Sequence, residues 1–226
     1  MRSQPLQKTS LRKQVYDVLR ASLNQGLLQP GAPIKLDAIA AQMGISRTPL
    51  REALLQLENE GFVTIKPRSG VVVRRLTEPD IRNLYQMIGA LEAAVLLEGD
   101  GPVPLEVVQR MEEANTLMRE ALQRDDFDGY YAANLDLHDA FLSLTANTEL
   151  RERLRLMKQR LYDFPRKRAF SKEWEENSTR EHARILATLR DGNRREAARL
   201  VQEEHWSFAV QESYIREYYR EELEQA

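Results

Sequence analysis

At 226 residues, 42% of them hydrophobic and 30% charged, the chain has room for two ordinary globular domains. It has no cysteine, which excludes disulfides, thiolate zinc ligands and cysteine nucleophiles. No apolar run approaches the roughly 18 to 20 residues that a membrane span needs, and the start, Met1-Arg2-Ser3-Gln4-Pro5-Leu6-Gln7-Lys8, lacks an apolar signal core, so a cytoplasmic location without a membrane partner is expected.

The first third reads as a DNA-binding unit. A helix beginning near Lys35 is stopped by Gly44, and Ser46 is placed to cap the next one. Pro49 falls in the first turn of that second helix, where its missing amide hydrogen matters little, and Leu50, Ala53, Leu54 and Leu57 form a buried stripe. Arg47, Thr48 and Arg51 are left facing outward. In a helix-turn-helix the second helix enters the major groove N-terminus first, and an arginine fork matches O6 and N7 of guanine, so these three are the base-contact candidates. Two β-prone runs follow, Phe62 to Lys66 and Val71 to Arg74, joined by Pro67-Arg68-Ser69-Gly70. A hairpin there is a wing, whose basic tip, Lys66 and Arg68, would reach phosphates or the minor groove while Gly70 lets the backbone approach closely.

Charge supports this division. Residues 1–76 hold 12 Lys and Arg against 5 Asp and Glu, a surplus of +7, while the remainder holds 21 against 30, or −9. A basic head neutralises phosphates and an acidic body does not, so contact with a double-stranded DNA operator is confined to the N-terminal third. Residues 77–226 read as an all-α body of about six helices. Thr77-Glu78-Pro79-Asp80 caps the first, with Ile81, Leu84, Ile88, Leu91 and Val95 on one face. Further amphipathic segments cover roughly 104–124, 126–145, 148–168, 172–191 and 194–222. The expected fold is mainly α: a winged helix-turn-helix of three helices and a β-hairpin, then a helical bundle.

Gly44-Ile45-Ser46-Arg47-Thr48-Pro49-Leu50-Arg51-Glu52-Ala53-Leu54, with Leu28-Gln29-Pro30-Gly31 before it and Glu60-Gly61-Phe62-Val63 after it, resembles the winged-helix domain of GntR-family transcription regulators. The helical body is similar to the FCD effector domain of the FadR-type subfamily, and the resemblance runs from about Leu11 to about Glu212. It implies DNA contacts at Arg47, Thr48, Arg51, Ser69 and Gly70, and a homodimer that acts on short inverted repeats, as a repressor released by a small molecule.

Histidine marks a second site. Asn134 and His138, four residues apart, project from one helix face. His182 lies ten residues before Gly192 and His205 thirteen after it, so an antiparallel pair turning there sets them at similar depths, roughly 15 and 20 Å by helical rise. With His138 from a third helix, these form a candidate centre for zinc, nickel, iron or manganese. The resemblance implies the same set, since metal-binding FCD domains place an aspartate and a histidine four apart and two histidines on the last two helices. Asn134 departs from that pattern: it offers an oxygen without a charge, which leaves the metal more positive and favours an anionic effector.

A second departure is Ile88, where many relatives carry an arginine four residues before the glutamate corresponding to Glu92. Arg160, Arg166 and Arg168 are alternative partners for an effector anion, and among the aromatics Tyr162 and Trp206 are the candidates to line its pocket, Tyr130, Tyr131 and Phe164 being assigned to the core. The expected activity is ligand-responsive transcription regulation. Two other readings are a metal sensor whose effector is the metal, and a three-histidine hydrolase. Against the hydrolase, no further histidine remains as a general base, and no spacing singles out Asp136, Asp139 or Glu181.

Overall fold

The structure, a computed structural model, describes residues 10–99, 101–162 and 171–224. In the N-terminal unit, α1 (Leu11–Asn24) starts at Ser10, whose hydroxyl accepts from the Lys13 amide at 3.3 Å. α2 (Leu36–Met43) ends on Gly44 at φ 64°, the left-handed conformation that glycine adopts without steric conflict, and α3 (Arg47–Asn59) follows. Ser46 stands at the N-cap of α3 but its side chain makes no capping bond, which corrects that expectation. β2 (Val63–Lys66) and β3 (Gly70–Val73) form the antiparallel hairpin, and a third strand, β1 (Pro33–Ile34), pairs with the outer edge of β3. Two residues are too few to show an alternating pattern, so this strand has no signature in the sequence. Val15, Leu19 and Leu23 of α1, Leu50, Leu54 and Leu57 of α3, and Phe62, Val71 and Val73 of the sheet close the core of this unit. The side left over, with Arg47, Thr48 and Arg51, is solvent-exposed.

The helical unit opens with α4 (Glu78–Leu97), which carries the full capping box: Thr77 accepts from the Asp80 amide and Asp80 accepts from that of Thr77. It continues with α5 (Leu105–Gln123), α6 (Phe127–Leu142), α7 (Thr148–Tyr162) and α8 (Lys172–Arg190). α5 packs against α6 and α8, the first helix after α8 and the turn that follows it pack back onto α4 and α8, and the next helix packs onto α4. Where one helix over 194–222 is expected, the chain forms α9 (Arg194–Leu200), a π-turn over Val201–His205, α10 (Phe208–Tyr218) and α11 (Arg220–Glu224). The π-turn is closed by the Trp206 amide donating to the Val201 carbonyl at 2.9 Å. Gly89 of α4 makes room for it: a Cβ there would stand 2.8 Å from Cβ of Trp206.

The division into compact units falls at Arg75 and Leu76, with one exchange. The last turn of α7, from Gln159, groups with the N-terminal unit rather than with the helical body. Gln159 accepts from Arg20 of α1 at 2.9 Å, and the Arg160 guanidinium carbon lies 2.9 Å from where a Cβ on Gly61 would stand.

Candidate functional site

In the N-terminal unit, the recognition helix α3 buries Leu50, Ala53, Leu54 and Leu57, and this fixes which residues face outward. Arg47 and Thr48 occupy its first two positions and Arg51 the next turn, all exposed. The Arg47 guanidinium reaches the Asp37 carboxylate of α2 at 2.6 Å. At the wing, the Ser69 amide donates to the Lys66 carbonyl at 3.1 Å, closing a turn in which Arg68 takes φ 63°. A non-glycine residue in this region is disfavoured by roughly 1 kcal/mol or more, so the turn holds the Arg68 side chain out at the tip at some conformational cost. Gly70 at φ 93° has nothing within 4 Å of a would-be Cβ, which leaves its backbone open to a close approach.

In the helical unit, three elements bring the histidines together. His138 comes from α6, His182 from α8 and His205 from the end of the π-turn. Their ring centroids are 5.3, 5.3 and 4.7 Å apart, and one ring nitrogen from each lies within 4.8 Å of the others. His138 and His182 are buried, and His205 is nearly so. Asn134 stands one turn before His138 on α6, and its Oδ1 is buried without a hydrogen-bond partner among the described residues.

Two carboxylates orient two of the rings. His138 Nδ1 lies 3.1 Å from Glu92 Oε2, and His205 Nδ1 lies 2.7 Å from Glu181 Oε2. A carboxylate partner fixes each Nδ1 as the donor and orients the ring with Nε2 turned away from it. Glu181 is held in turn by Asn177 at 2.6 Å and Gln211 at 2.8 Å. Glu92, fully buried, also accepts from the Trp206 indole at 2.6 Å and pairs with the ammonium of Lys158. Burial alone would raise the Glu92 pKa, but the His138 ring and the Lys158 ammonium pull it far below the usual carboxylate range, so the group is ionised. His138 is pushed down to about 4, chiefly by burial, and His182 is also lowered by burial and by His205 and His138. Both rings are neutral donors at neutral pH.

His182 differs from the other two: neither of its ring nitrogens has a hydrogen-bond partner among the described residues. Buried polar atoms are rarely left so. Two orphaned imidazole nitrogens and the orphaned amide oxygen of Asn134, beside two rings already locked with Nε2 free, make a donor set that fits a divalent transition metal.

The other sequence candidates lie elsewhere or in different roles. Arg160 and Tyr162 belong to the part of α7 that groups with the N-terminal unit, whereas the three histidines belong to the helical unit. Arg166, with Arg168 and Phe164, lies outside the described residues. Trp206 does border the centre, but its indole N–H is taken by Glu92 and its ring packs edge-on against Tyr85 at 5.2 Å. Sequence reasoning missed Lys158, the buried cation of this cluster. Its signal is the spacing Leu154, Lys158, Leu161, which puts one charge within the apolar stripe of α7.

Comparison with known proteins joins the two halves. Residues 11–73 match the profile of bacterial regulatory proteins of the gntR family, and residues 80–205, more than half of the chain, match that of the FCD domain. The chain belongs to the gntR family of regulators and carries an FCD domain. Such proteins are transcription regulators and not enzymes, which removes the hydrolase reading. This regulator is 34% identical over 134 residues to an HTH-type transcriptional regulator of Agrobacterium vitis, covering 58% of this chain and 78% of the other. It is 28% identical over 183 residues to the Nta operon transcriptional regulator of Aminobacter aminovorans, covering 76% and 80%. To the transcriptional repressor RspR of Escherichia coli K12 it is 25% identical over 128 residues, so the match spans 57% of this chain and little more than half, 56%, of RspR. Among solved structures, a GntR regulator of Rhodococcus sp. RHA1 has the same fold, with a TM-score of 0.63 at 24% identity over 95% of this chain and 98% of its own. Escherichia coli McbR/YncC gives 0.61 at 20% identity over 94% and 99%. Among the described residues, no helix is long and apolar enough to cross a membrane.

Proposed function

We propose that this regulator is a homodimeric repressor of a palindromic operator, and that a small anionic effector sets its DNA affinity by binding at a metal centre in the FCD domain. The observation that carries the metal is His182, buried with both ring nitrogens unpartnered beside two oriented histidines. His138, His182 and His205 would hold the ion, with Asn134 as a neutral fourth donor. Bound there, zinc, nickel, iron or manganese supplies a Lewis-acidic anchor for an anion. The chain's own residues do the rest: Glu92 and Glu181 orient the rings, and Lys158 balances the Glu92 charge. An effector that favours one arrangement of the paired bodies changes the separation of the two recognition helices, and half-site spacing reads this out.

The test is operator affinity, with the operator obtained by selection from a random duplex pool. Protein stripped with EDTA, then reloaded with zinc and titrated with small mono- and dicarboxylates, is expected to release the selected duplex only when metal and anion are both present. Release by metal alone would make the metal the effector, and indifference to both would overturn the reading.

On the DNA side, Arg47→Ala or Arg51→Ala is expected to weaken the selected duplex by about 1 to 3 kcal/mol and blur its specificity, while Arg68→Ala weakens all sequences alike. Equal losses of Arg47→Ala on selected and random duplexes would contradict base reading. At the metal, Asn134→Asp adds a charged oxygen in place of a neutral one, and metal affinity should rise roughly tenfold or more, about 1.4 kcal/mol per decade. Competition against a chromogenic chelator measures it, and a weaker-binding variant would remove Asn134 from the donor set.

A further inference from the structure

We infer that Asp37 is a specificity-determining residue of the DNA-reading surface, acting by holding Arg47; this rests on the proposed base contact of Arg47. Asp37 lies in the first turn of α2, and its Oδ1 is 2.6 Å from an Arg47 terminal nitrogen at the first position of α3. The two side chains are 75% and 77% exposed. An ion pair so open to water adds next to nothing to stability, so folding does not account for it.

Its setting makes it expensive in another way. The N-terminal third carries 12 basic residues and 5 acidic ones, and a carboxylate on the face that meets phosphates repels the ligand. Three of the other acids are engaged elsewhere in the unit. Asp17 pairs with Lys13 along α1, Glu58 accepts from the Ile65 amide at 2.6 Å, and Glu60 accepts from the Tyr16 hydroxyl at 2.6 Å. Asp37 instead faces the first residue of the recognition helix.

There it does two things. It restricts the Arg47 side chain, so part of the rotamer freedom that a guanine contact would remove is already gone. It also competes with phosphates for the guanidinium, while the fork keeps further N–H groups directed outward. At a guanine, the paired O6 and N7 acceptors reward the oriented fork. On non-cognate DNA, Arg47 stays with Asp37 and contributes little. The carboxylate thus weakens random binding more than cognate binding. A role confined to the α2 dipole would change fold stability and leave that ratio alone.

The experiment uses the full-length protein with two probes, the duplex selected from a random pool and a scrambled duplex of equal length, across a salt series. Asp37→Asn, which keeps shape and removes charge, is expected to tighten the scrambled duplex about three- to tenfold with little change on the selected one, and to steepen the salt slope on scrambled DNA by about one. Asp37→Glu should retain part of the wild-type ratio. In an Arg47→Ala background the Asp37→Asn effect on the ratio should vanish. If Asp37→Asn shifts both duplexes by one factor, or changes the ratio as much without Arg47, the inference is overturned. If Arg47→Ala alone weakens both duplexes equally, the base-reading role of Arg47 fails first, and that result is distinct from an Arg47 that reads bases without help from Asp37.

Discussion

Glu92→Ala is expected to destabilise the helical unit by about 3 to 5 kcal/mol in urea denaturation, the largest stability effect of any single substitution considered for this protein. The loss comes from what stays behind. The Lys158 ammonium is buried against Glu92, and removing the carboxylate leaves it with no counter-charge among the described residues while the Trp206 indole loses its acceptor. A buried pair need not stabilise a fold relative to apolar residues, yet breaking one side of it is severe, because the surviving charge has no water to turn to. The double variant Glu92→Leu with Lys158→Met, apolar at both positions, should therefore recover most of the loss. The pH dependence has a definite sign. Glu92 is held below its unfolded value near 4.3, so its contribution is complete above that value and fades only as pH falls toward the depressed one. The wild type should accordingly keep its advantage over Glu92→Ala from neutral pH down to about pH 4. A loss below about 1 kcal/mol, or a double variant no better than the single, would show that Lys158 finds another partner.

The parts of this molecule that were legible in its sequence are those encoded locally. Gly44 at the end of α2, the Thr77 to Asp80 box and the Pro67 to Gly70 turn each sit within four residues of the groups they control. The histidine centre was legible for a related reason. One helical rise converts distance from Gly192 into comparable depth along two antiparallel helices, and the structure sets the His182 and His205 rings 4.7 Å apart. The π-turn was not legible, because the one extra residue shifts the phase of the apolar stripe between two segments of only 7 and 11 residues, too short to fix a phase on either side. It also packs against α4, where Gly89 leaves room for Trp206, more than a hundred residues away in the chain. The Glu92 and Lys158 pair was half legible. Each is a charge set in an apolar stripe, Glu92 between Ile88 and Val95 and Lys158 between Leu154 and Leu161, but a stripe says that a charge is buried and not which charge meets it. The α4 face expected to include Leu91 in fact buries Glu92 completely and Leu91 only in part.

His182→Leu should change stability in opposite directions with and without metal. In the metal-free protein, His182 is buried with neither nitrogen satisfied, which costs the fold on the order of 1 to 3 kcal/mol relative to an apolar side chain of similar volume. With EDTA present, the leucine variant should therefore unfold at higher urea than the wild type, by up to that amount. With zinc in excess the order reverses. A ligand bound only by the folded state adds about 4 kcal/mol when its concentration is a thousand times the dissociation constant, and the variant, lacking one of three imidazoles, should forfeit nearly all of that increment. A histidine that merely fills the core predicts something else: the same difference between variant and wild type in zinc as in EDTA. Elemental analysis of protein purified without chelator or histidine tag gives the second readout, with metal near one equivalent per subunit in the wild type and absent from the variant. A protein that retained zinc without His182 would place the ion elsewhere, and the buried, unpartnered ring would then have to be explained by the apolar packing around it.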